Sequence, residues 1–140
     1  MPLELESLEN AVAALNEVVT RSSDTRFMET LDRVTRNAFI AGVILHFEFT
    51  YELCWKFMKR WIDLNVGTTV VDGVTRRELF RHAAEQRLIT DVEQWMRYHD
   101  ARNRTSHTYQ SAVAEQIFAI TPAFTADAMR FLEALAQRND

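Results

Sequence analysis

Apolar residues recur every three or four positions along most of the chain, which is the period of an amphipathic helix. In the first segment they stand at positions 5, 8, 12, 15 and 19, which predicts a helix of about five turns. The same period runs from about residue 27 to residue 64 and indicates a second, long helix. We expect the start of this helix to be frayed or broken near residues 32–36, beyond a polar, cap-rich break at residues 21–25.

Helix signals continue in the second half of the chain. Gly67 ends the long helix, because glycine can adopt a left-handed cap, and residues 68–74 are predicted to form a loop. Thr75 and Thr90 each begin a Thr-x-x-Glu sequence, which fits a capping box. The two helices that follow are predicted over about residues 75–88 and 90–104.

A last helical pattern covers about residues 111–138, where the pair Thr121-Pro122 predicts a kink or a restart. Glycine and proline are scarce, and the sequence contains no repeat or linker. The predicted fold class is therefore all-α: an antiparallel up-and-down helical bundle of four to five helices. We assign residues 1–140 to a single domain, since 140 residues can bury a substantial core.

Composition narrows the cellular setting. The single cysteine, Cys54, excludes an internal disulfide and fits a reducing compartment. The N-terminal sequence lacks the basic and apolar regions of a signal peptide. Apolar runs fall short of the roughly 18 residues that a membrane span needs. We therefore expect a soluble cytoplasmic protein that does not associate with a membrane.

The basic residues are concentrated in one part of the sequence, although the protein carries a net negative charge. The net charge of −4 argues against a protein coated in nucleic acid. However, 14 of the 16 basic residues are arginines, and seven of them fall within residues 76–104. Arginine suits bidentate phosphate contacts, although a solvated mixed-charge surface would explain most of these residues equally well.

Residues 102–109, Arg-Asn-Arg-Thr-Ser-His-Thr-Tyr, carry the main chemical signal. Arg102 offers a planar set of phosphate donors, and a histidine such as His107 can give or take a proton in general acid–base chemistry. The two residues are five apart, about 140° around a helix. They can therefore meet only if the helix ends between them, near Thr105-Ser106, or if they meet across a symmetric dimer.

Each residue of this motif also has an ordinary structural interpretation. Arg102 could be a helix C-terminal cation, His107 a packed or capping histidine, and Tyr109 a half-buried aromatic residue. Trp95 lies seven residues before Arg102 on nearly the same face, where it could stack a base or belong to the core. Asn103 adjoins the apolar side of its helix and could orient His107.

Other candidate sites are weaker. Glu48 and Glu52 lie four residues apart on one helix face, where they could bind a metal or pair with arginines at a subunit or helix interface. The remaining histidines lack the spacing of zinc ligands; they are His46, His82 and His99. No glycine-rich phosphate loop is present. We expect neither a metal nor a cofactor.

Two segments together resemble a known family. The first is residues 47–56, Phe-Glu-Phe-Thr-Tyr-Glu-Leu-Cys-Trp-Lys, and the second combines Trp95, Arg102-Asn103 and His107-Thr-Tyr109. Both resemble the HEPN superfamily, in its branch of nucleotidyltransferase substrate-binding proteins. The similarity covers nearly the whole chain.

The resemblance implies a bundle that dimerises, with two Arg/His sets close to the dimer seam. It also implies a separately encoded partner, a minimal nucleotidyltransferase. In the toxin–antitoxin members the HEPN subunit is an RNase, so the resemblance implies the same activity here. We expect Arg102 and His107 to carry it without a metal. The partner silences it by adenylylating the motif tyrosine, here Tyr109.

Two other functions remain open from the sequence. A non-catalytic subunit could hold RNA, a nucleotide or another substrate for the nucleotidyltransferase, and a purely structural helical dimer is the third possibility. The chain lacks the Gly-Ser and Asp-x-Asp pattern of a nucleotidyltransferase, so it does not supply transfer chemistry itself.

Overall fold

The computed structural model describes residues 2–139, and the secondary structure of this range is helical, without strands. The α-helices are α1 (Glu6–Ser22), α2 (Thr25–Glu29), α3 (Arg33–Asn65), α4 (Thr68–Val71), α5 (Arg76–Glu85), α6 (Val92–Asn103) and α7 (Ser111–Gln137). A 3-10 turn, Thr105–His107, lies between α6 and α7. The all-α bundle predicted from the sequence is confirmed, with α1, α3, α5, α6 and α7 as its main helices.

The core is organised around an aromatic cluster that joins three helices. The ring of Phe124, on α7, lies 4.9 Å from that of Phe47 on α3. It also lies 5.0 Å from Tyr98 and 5.9 Å from Trp95, both on α6. These edge-to-face contacts fix α6 against α3 and α7, and α1 packs along α3 and α7 on another side of the bundle.

The long helical pattern is broken as predicted, but the break lies slightly earlier than residues 32–36. Residues 30–32 separate α2 from α3, and the Asp32 carboxylate accepts a 2.7 Å hydrogen bond from the Thr35 amide to cap α3. This bond also holds the pKa of the Asp32 carboxyl below its ordinary value. The α3 helix can therefore start afresh at the bundle edge.

The connection after α3 differs from the prediction. Residues 68–71 form one helical turn instead of a loop. Gly67 has a φ of 149° and a ψ of 145°, so it uses a backbone conformation that favours glycine but is not the expected left-handed cap. The helix ends with the amides of Val66 and Gly67 both bonded to the Ile62 carbonyl.

One predicted capping box is half formed and the other is shifted. The Thr75 hydroxyl accepts a 3.2 Å hydrogen bond from the Glu78 amide, as predicted, but the Glu78 carboxylate accepts from the Thr75 hydroxyl and not from the Thr75 amide. At the start of α6, however, Asp91 and not Thr90 is the cap, because its carboxylate accepts from the Gln94 amide at 3.1 Å. A carboxylate at this position also interacts favourably with the helix dipole.

The α7 helix passes through Pro122 without the restart that the sequence suggested. Proline has no N–H, so the Phe118 carbonyl loses its usual partner four residues later. The Thr121 hydroxyl donates a 2.7 Å hydrogen bond to that carbonyl instead. Thr121 thus supplies the hydrogen bond that Pro122 cannot donate, and the helix continues.

The α3 helix is more apolar than its longest uninterrupted apolar run suggests. An 18-residue window within it has a mean hydropathy of 1.2, which by length and composition alone would suit a membrane span. Its apolar residues include Val43, Phe47 and the fully buried Cys54, whose thiol pKa is raised by burial. The α3 helix packs on α1, α5, α6 and α7, and 39% of that window is buried in the bundle.

Candidate functional site

Arg102 lies in the last turn of α6 and is held by α3. Its Nε donates a 2.8 Å hydrogen bond to Glu52 Oε1, and its Nη2 lies 4.0 Å from Glu48 Oε1. The expected pairing of these two glutamates with an arginine at a helix interface is therefore observed. Within residues 2–139 no cluster of three or more His, Cys, Asp and Glu side chains is arranged to hold a metal ion.

The guanidinium of Arg102 keeps donors available for a ligand. Glu52 takes the Nε hydrogen, while Nη1 and Nη2 make no hydrogen bond within the described residues. The Arg102 side chain is 32% exposed. Because the guanidinium is planar, one hydrogen bond at Nε sets the plane in which the terminal nitrogens lie. The side chain is therefore oriented and still able to bind a phosphate group.

His107 lies beyond the end of α6, as the motif requires. The helix stops at Asn103, and the His107 amide donates to the Arg104 carbonyl at 2.9 Å within the 3-10 turn. The imidazole is exposed, and its ring lies 6.1 Å from that of Tyr109. Its nitrogens make no hydrogen bond within residues 2–139, and it makes no direct bond with Arg102. The imidazole is thus free to exchange a proton with a ligand.

Asn103 does not orient His107. Its Nδ2 lies 3.3 Å from His99 Nε2, and His99 Nδ1 shares a 2.8 Å hydrogen bond with the Tyr51 hydroxyl. The reason is helical spacing: residues 99 and 103 are one turn apart on α6, whereas His107 follows the helix end. Asn103 therefore supports a second imidazole that the sequence did not single out.

The surroundings of His99 disfavour its charged form. Burial lowers its pKa, and the nearby positive charge of Arg76 lowers it further. The Tyr51 hydroxyl that bonds it is buried, which raises the pKa of the phenol. His99 thus contributes hydrogen bonding beside the site.

Trp95 belongs to the core and cannot stack a base. It is 2% exposed, and its ring is enclosed by aromatic neighbours; these are Phe80, Tyr98, Phe124 and Phe131. The alternative that the sequence left open, a core tryptophan, is therefore the correct one. The face of α6 that bears Trp95 points toward α7, away from solvent.

A different tryptophan is adjacent to Arg102. Trp55 on α3 is partly exposed, and its Nε1 donates a 3.1 Å hydrogen bond to Glu52 Oε2. The guanidinium carbon of Arg76 lies 3.6 Å from the centre of its indole ring. Burial lowers the pKa of Arg76. Neither Trp55 nor Arg76 is among the site residues predicted from the sequence. Arg76 could not be found in this way, because α5 approaches Trp55 only in the folded chain.

Tyr109 is fully accessible. Its side chain is 79% exposed, not half-buried as one interpretation of the sequence had it. Tyr51 and Tyr98, the other two tyrosines of the chain, are 1% and 0% exposed. Tyr109 also lines a cavity with Asn37 and Ala41 of α3. The motif therefore approaches α3 at a second place, in addition to the hydrogen bond between Arg102 and Glu52.

An apolar face of α3 is open beside these residues. Its three large side chains are Val34, Leu45 and Phe49, which are 67%, 65% and 58% exposed. Their spacing of eleven and four residues places them on one side of the helix. Glu52, which holds Arg102, follows Phe49 by one turn. The candidate site thus borders an exposed apolar strip.

Comparison with known proteins gives consistent results over nearly the full length. Residues 3–137 match the family described as nucleotidyltransferase substrate binding protein like. The chain is 34% identical to probable ribonuclease HepT of Haemophilus influenzae over 138 residues, 98% of this chain and 94% of the relative.

Solved structures agree with this assignment. A Haemophilus influenzae structure, reported to reveal the fold of a substrate binding domain of a nucleotidyltransferase, has a TM-score of 0.91 at 32% identity, covering 96% of this chain and 100% of the other. A Thermus thermophilus structure has a TM-score of 0.67 at 25% identity, covering 94% and 97% of the two chains. The chain therefore belongs to the family of nucleotidyltransferase substrate-binding-like proteins, within the HEPN superfamily.

Proposed function

We propose that the chain is the ribonuclease subunit, or toxin, of a two-component system whose other member is a minimal nucleotidyltransferase. The observation that carries the proposal is the C-terminal end of α6, where Glu52 orients Arg102 and its terminal nitrogens make no hydrogen bond within residues 2–139, and where the following turn carries the exposed, unbonded imidazole of His107. The similarity to probable ribonuclease HepT supports the same activity. The proposed setting is the cytoplasm.

The proposed reaction is transesterification of RNA without a metal. The 2′-hydroxyl attacks the adjacent phosphorus, the bond to the 5′-oxygen breaks, and the products are a 2′,3′-cyclic phosphate and a 5′-hydroxyl. His107 takes the proton of the nucleophile or gives one to the leaving oxygen. Arg102 binds the phosphate and stabilises the charge that develops on it. Glu52 is a positioning residue that acts through Arg102.

We expect His107→Ala to reduce RNA cleavage by about 10²- to 10⁴-fold, the usual contribution of general acid–base catalysis. Arg102→Ala should cost about 10²- to 10³-fold, because a donor to the transition state is removed. Cleavage of a labelled single-stranded RNA by the purified proteins measures both effects. The matched control is Arg97→Ala, which removes an exposed arginine from the same helix and should leave the rate nearly unchanged.

The alternative is a non-catalytic subunit that binds a nucleotide or substrate for the nucleotidyltransferase. The family description favours it, as does the Haemophilus structure that reveals the fold of a substrate binding domain of a nucleotidyltransferase. In that case the wild-type protein would bind nucleotide or RNA with no turnover, and Arg102→Ala would change affinity alone. Such a result would refute the ribonuclease proposal.

We further propose that the partner silences the chain by adenylylating Tyr109. This hydroxyl is the accessible phenol of the chain, and it lies beside His107. An added nucleotide phosphate would place negative charge and bulk near the imidazole and within reach of arginines. RNA would then be excluded from the site by repulsion and by volume.

Tyr109→Phe should remain an active ribonuclease and should no longer be silenced by the nucleotidyltransferase and ATP. Intact-protein mass spectrometry should show one AMP on the wild type and none on this variant. Tyr98→Phe is the control, because its ring is buried and the modification should persist. Retention of the adduct in Tyr109→Phe would refute the assignment.

Finally, we propose that the apolar strip of Val34, Leu45 and Phe49 is the homodimer interface. Apolar side chains of this size are costly to expose together, and a second copy offers the same strip. Because Glu48 and Glu52 flank Phe49, dimerisation would bring two copies of the Arg102 site toward one seam. This arrangement is the one that the family resemblance implies.

Phe49→Glu should convert a dimer into a monomer, because it places a charge in the apolar strip. Light scattering coupled to gel filtration measures the mass directly. Met129→Glu is the matched control, since Met129 is 46% exposed on α7 and lies outside the strip. A wild type that is monomeric at micromolar concentration, or a Phe49→Glu protein that stays dimeric, would contradict the proposal.

A further inference from the structure

A basic cavity lies beside Trp55, between the C-terminal half of α3 and α4. Its volume is about 380 Å³, and its wall includes Lys56, Lys59 and Arg60. The chain contains two lysines in total, and both line this cavity. Two carboxylates, those of Asp63 and Asp72, also line the cavity, so its three cations leave a net positive charge there in a protein whose own net charge is −4.

Two buried polar atoms near Trp55 have no hydrogen-bond partner within residues 2–139. One is Asp63 Oδ1, whose residue lines the cavity, and the other is Arg76 Nη1, whose guanidinium covers the indole ring. Buried polar groups are nearly always satisfied in folded proteins. Asp72 also lines the cavity. The cavity therefore offers unused acceptors as well as cations, which suits a ligand that has both an anionic group and N–H or O–H donors.

The cavity is connected to the candidate site through Glu52. One oxygen of this carboxylate accepts from Arg102 and the other accepts from Trp55, which is part of the cavity wall. Lys56 and Lys59 follow Glu52 at about 6 and about 10 Å along the axis of α3. A polynucleotide strand bound at Arg102 would therefore reach these lysines within one or two nucleotides.

We propose that this cavity is a second nucleotide subsite, which binds a neighbouring nucleotide of the RNA strand that Arg102 and His107 cleave. The lysines contact its phosphate, the part of the Trp55 indole that lines the cavity and is not covered by Arg76 contacts its base, and Asp63 accepts a hydrogen bond from the base or ribose. Cationic grooves combined with aromatic side chains are the general means of holding single-stranded nucleic acid. The proposal rests on the proposed ribonuclease function.

The direct test measures RNA binding separately from cleavage. In a His107→Ala background, fluorescence anisotropy of a fluorescein-labelled single-stranded RNA should show that Lys56→Ala/Lys59→Ala weakens binding by roughly tenfold or more. The slope of log affinity against log salt should fall by about 0.7 for each phosphate that the variant no longer neutralises. The control pair, Arg26→Ala/Arg97→Ala, removes the same charge from exposed positions outside the cavity and should have a much smaller effect.

Cleavage kinetics provide the second measurement. With His107 intact, Lys56→Ala/Lys59→Ala should raise KM and leave kcat nearly unchanged, because the lysines contact the substrate away from the reacting phosphate. Both lysines are exposed, and circular dichroism will verify that the variant folds.

Three results would overturn the subsite. The lysine pair and the control pair could weaken RNA binding equally. Lys56→Ala/Lys59→Ala could weaken the binding of free ATP and leave RNA binding unchanged, which would assign the cavity to a free nucleotide. The lysine pair could lower kcat at constant KM. Failure of the proposed function would look different, because the wild type would then leave RNA intact.

Discussion

The candidate site depends on one carboxylate, that of Glu52. It accepts from Arg102 Nε at 2.8 Å and from Trp55 Nε1 at 3.1 Å, so it ties the end of α6 to the middle of α3. A hydrogen bond between charged groups is worth about 1.5–3 kcal/mol when shielded, and less here because both side chains are about one-third exposed. Its main effect is therefore on orientation: it fixes the guanidinium plane while leaving the terminal nitrogens free.

This contact can form because the core holds α6 in place. Phe124 of α7 touches Phe47 on α3 and Trp95 and Tyr98 on α6, so the three helices share one aromatic cluster. The cluster fixes the position of α6 along the axis of α3, so that Arg102 lies within hydrogen-bond distance of Glu52. The helix ends one residue later, which allows the 3-10 turn to carry His107 into solvent. The middle of α6 thus packs in the core, and its C-terminal end carries the candidate site.

Much of this arrangement is predictable from local sequence. A helix end between Arg102 and His107 is one of the two arrangements that their angular separation allows, and the structure has it. The pairing of Glu48 and Glu52 with an arginine follows from their spacing on an apolar helix. Trp95 was ambiguous, because a spacing of seven residues places it near Arg102 but cannot say which side of α6 faces α7. Arg76 was missed, since its helix lies far away in sequence and approaches Trp55 only in the folded chain. The prediction that Asn103 orients His107 is wrong. Asn103 bonds His99 instead, because these two residues lie one helical turn apart on α6.

The central claim is metal-free attack by the 2′-hydroxyl, and the chemistry of the cleaved ends tests it most directly. The purified protein should be incubated in EDTA with a short RNA and with the same RNA carrying one 2′-deoxynucleotide at the cleavage site. The account predicts that cleavage persists in EDTA, that the upstream product ends in a 2′,3′-cyclic phosphate, and that the 2′-deoxy linkage stays intact. Loss of cleavage in EDTA, a 3′-hydroxyl product, or cleavage of the 2′-deoxy linkage would contradict it.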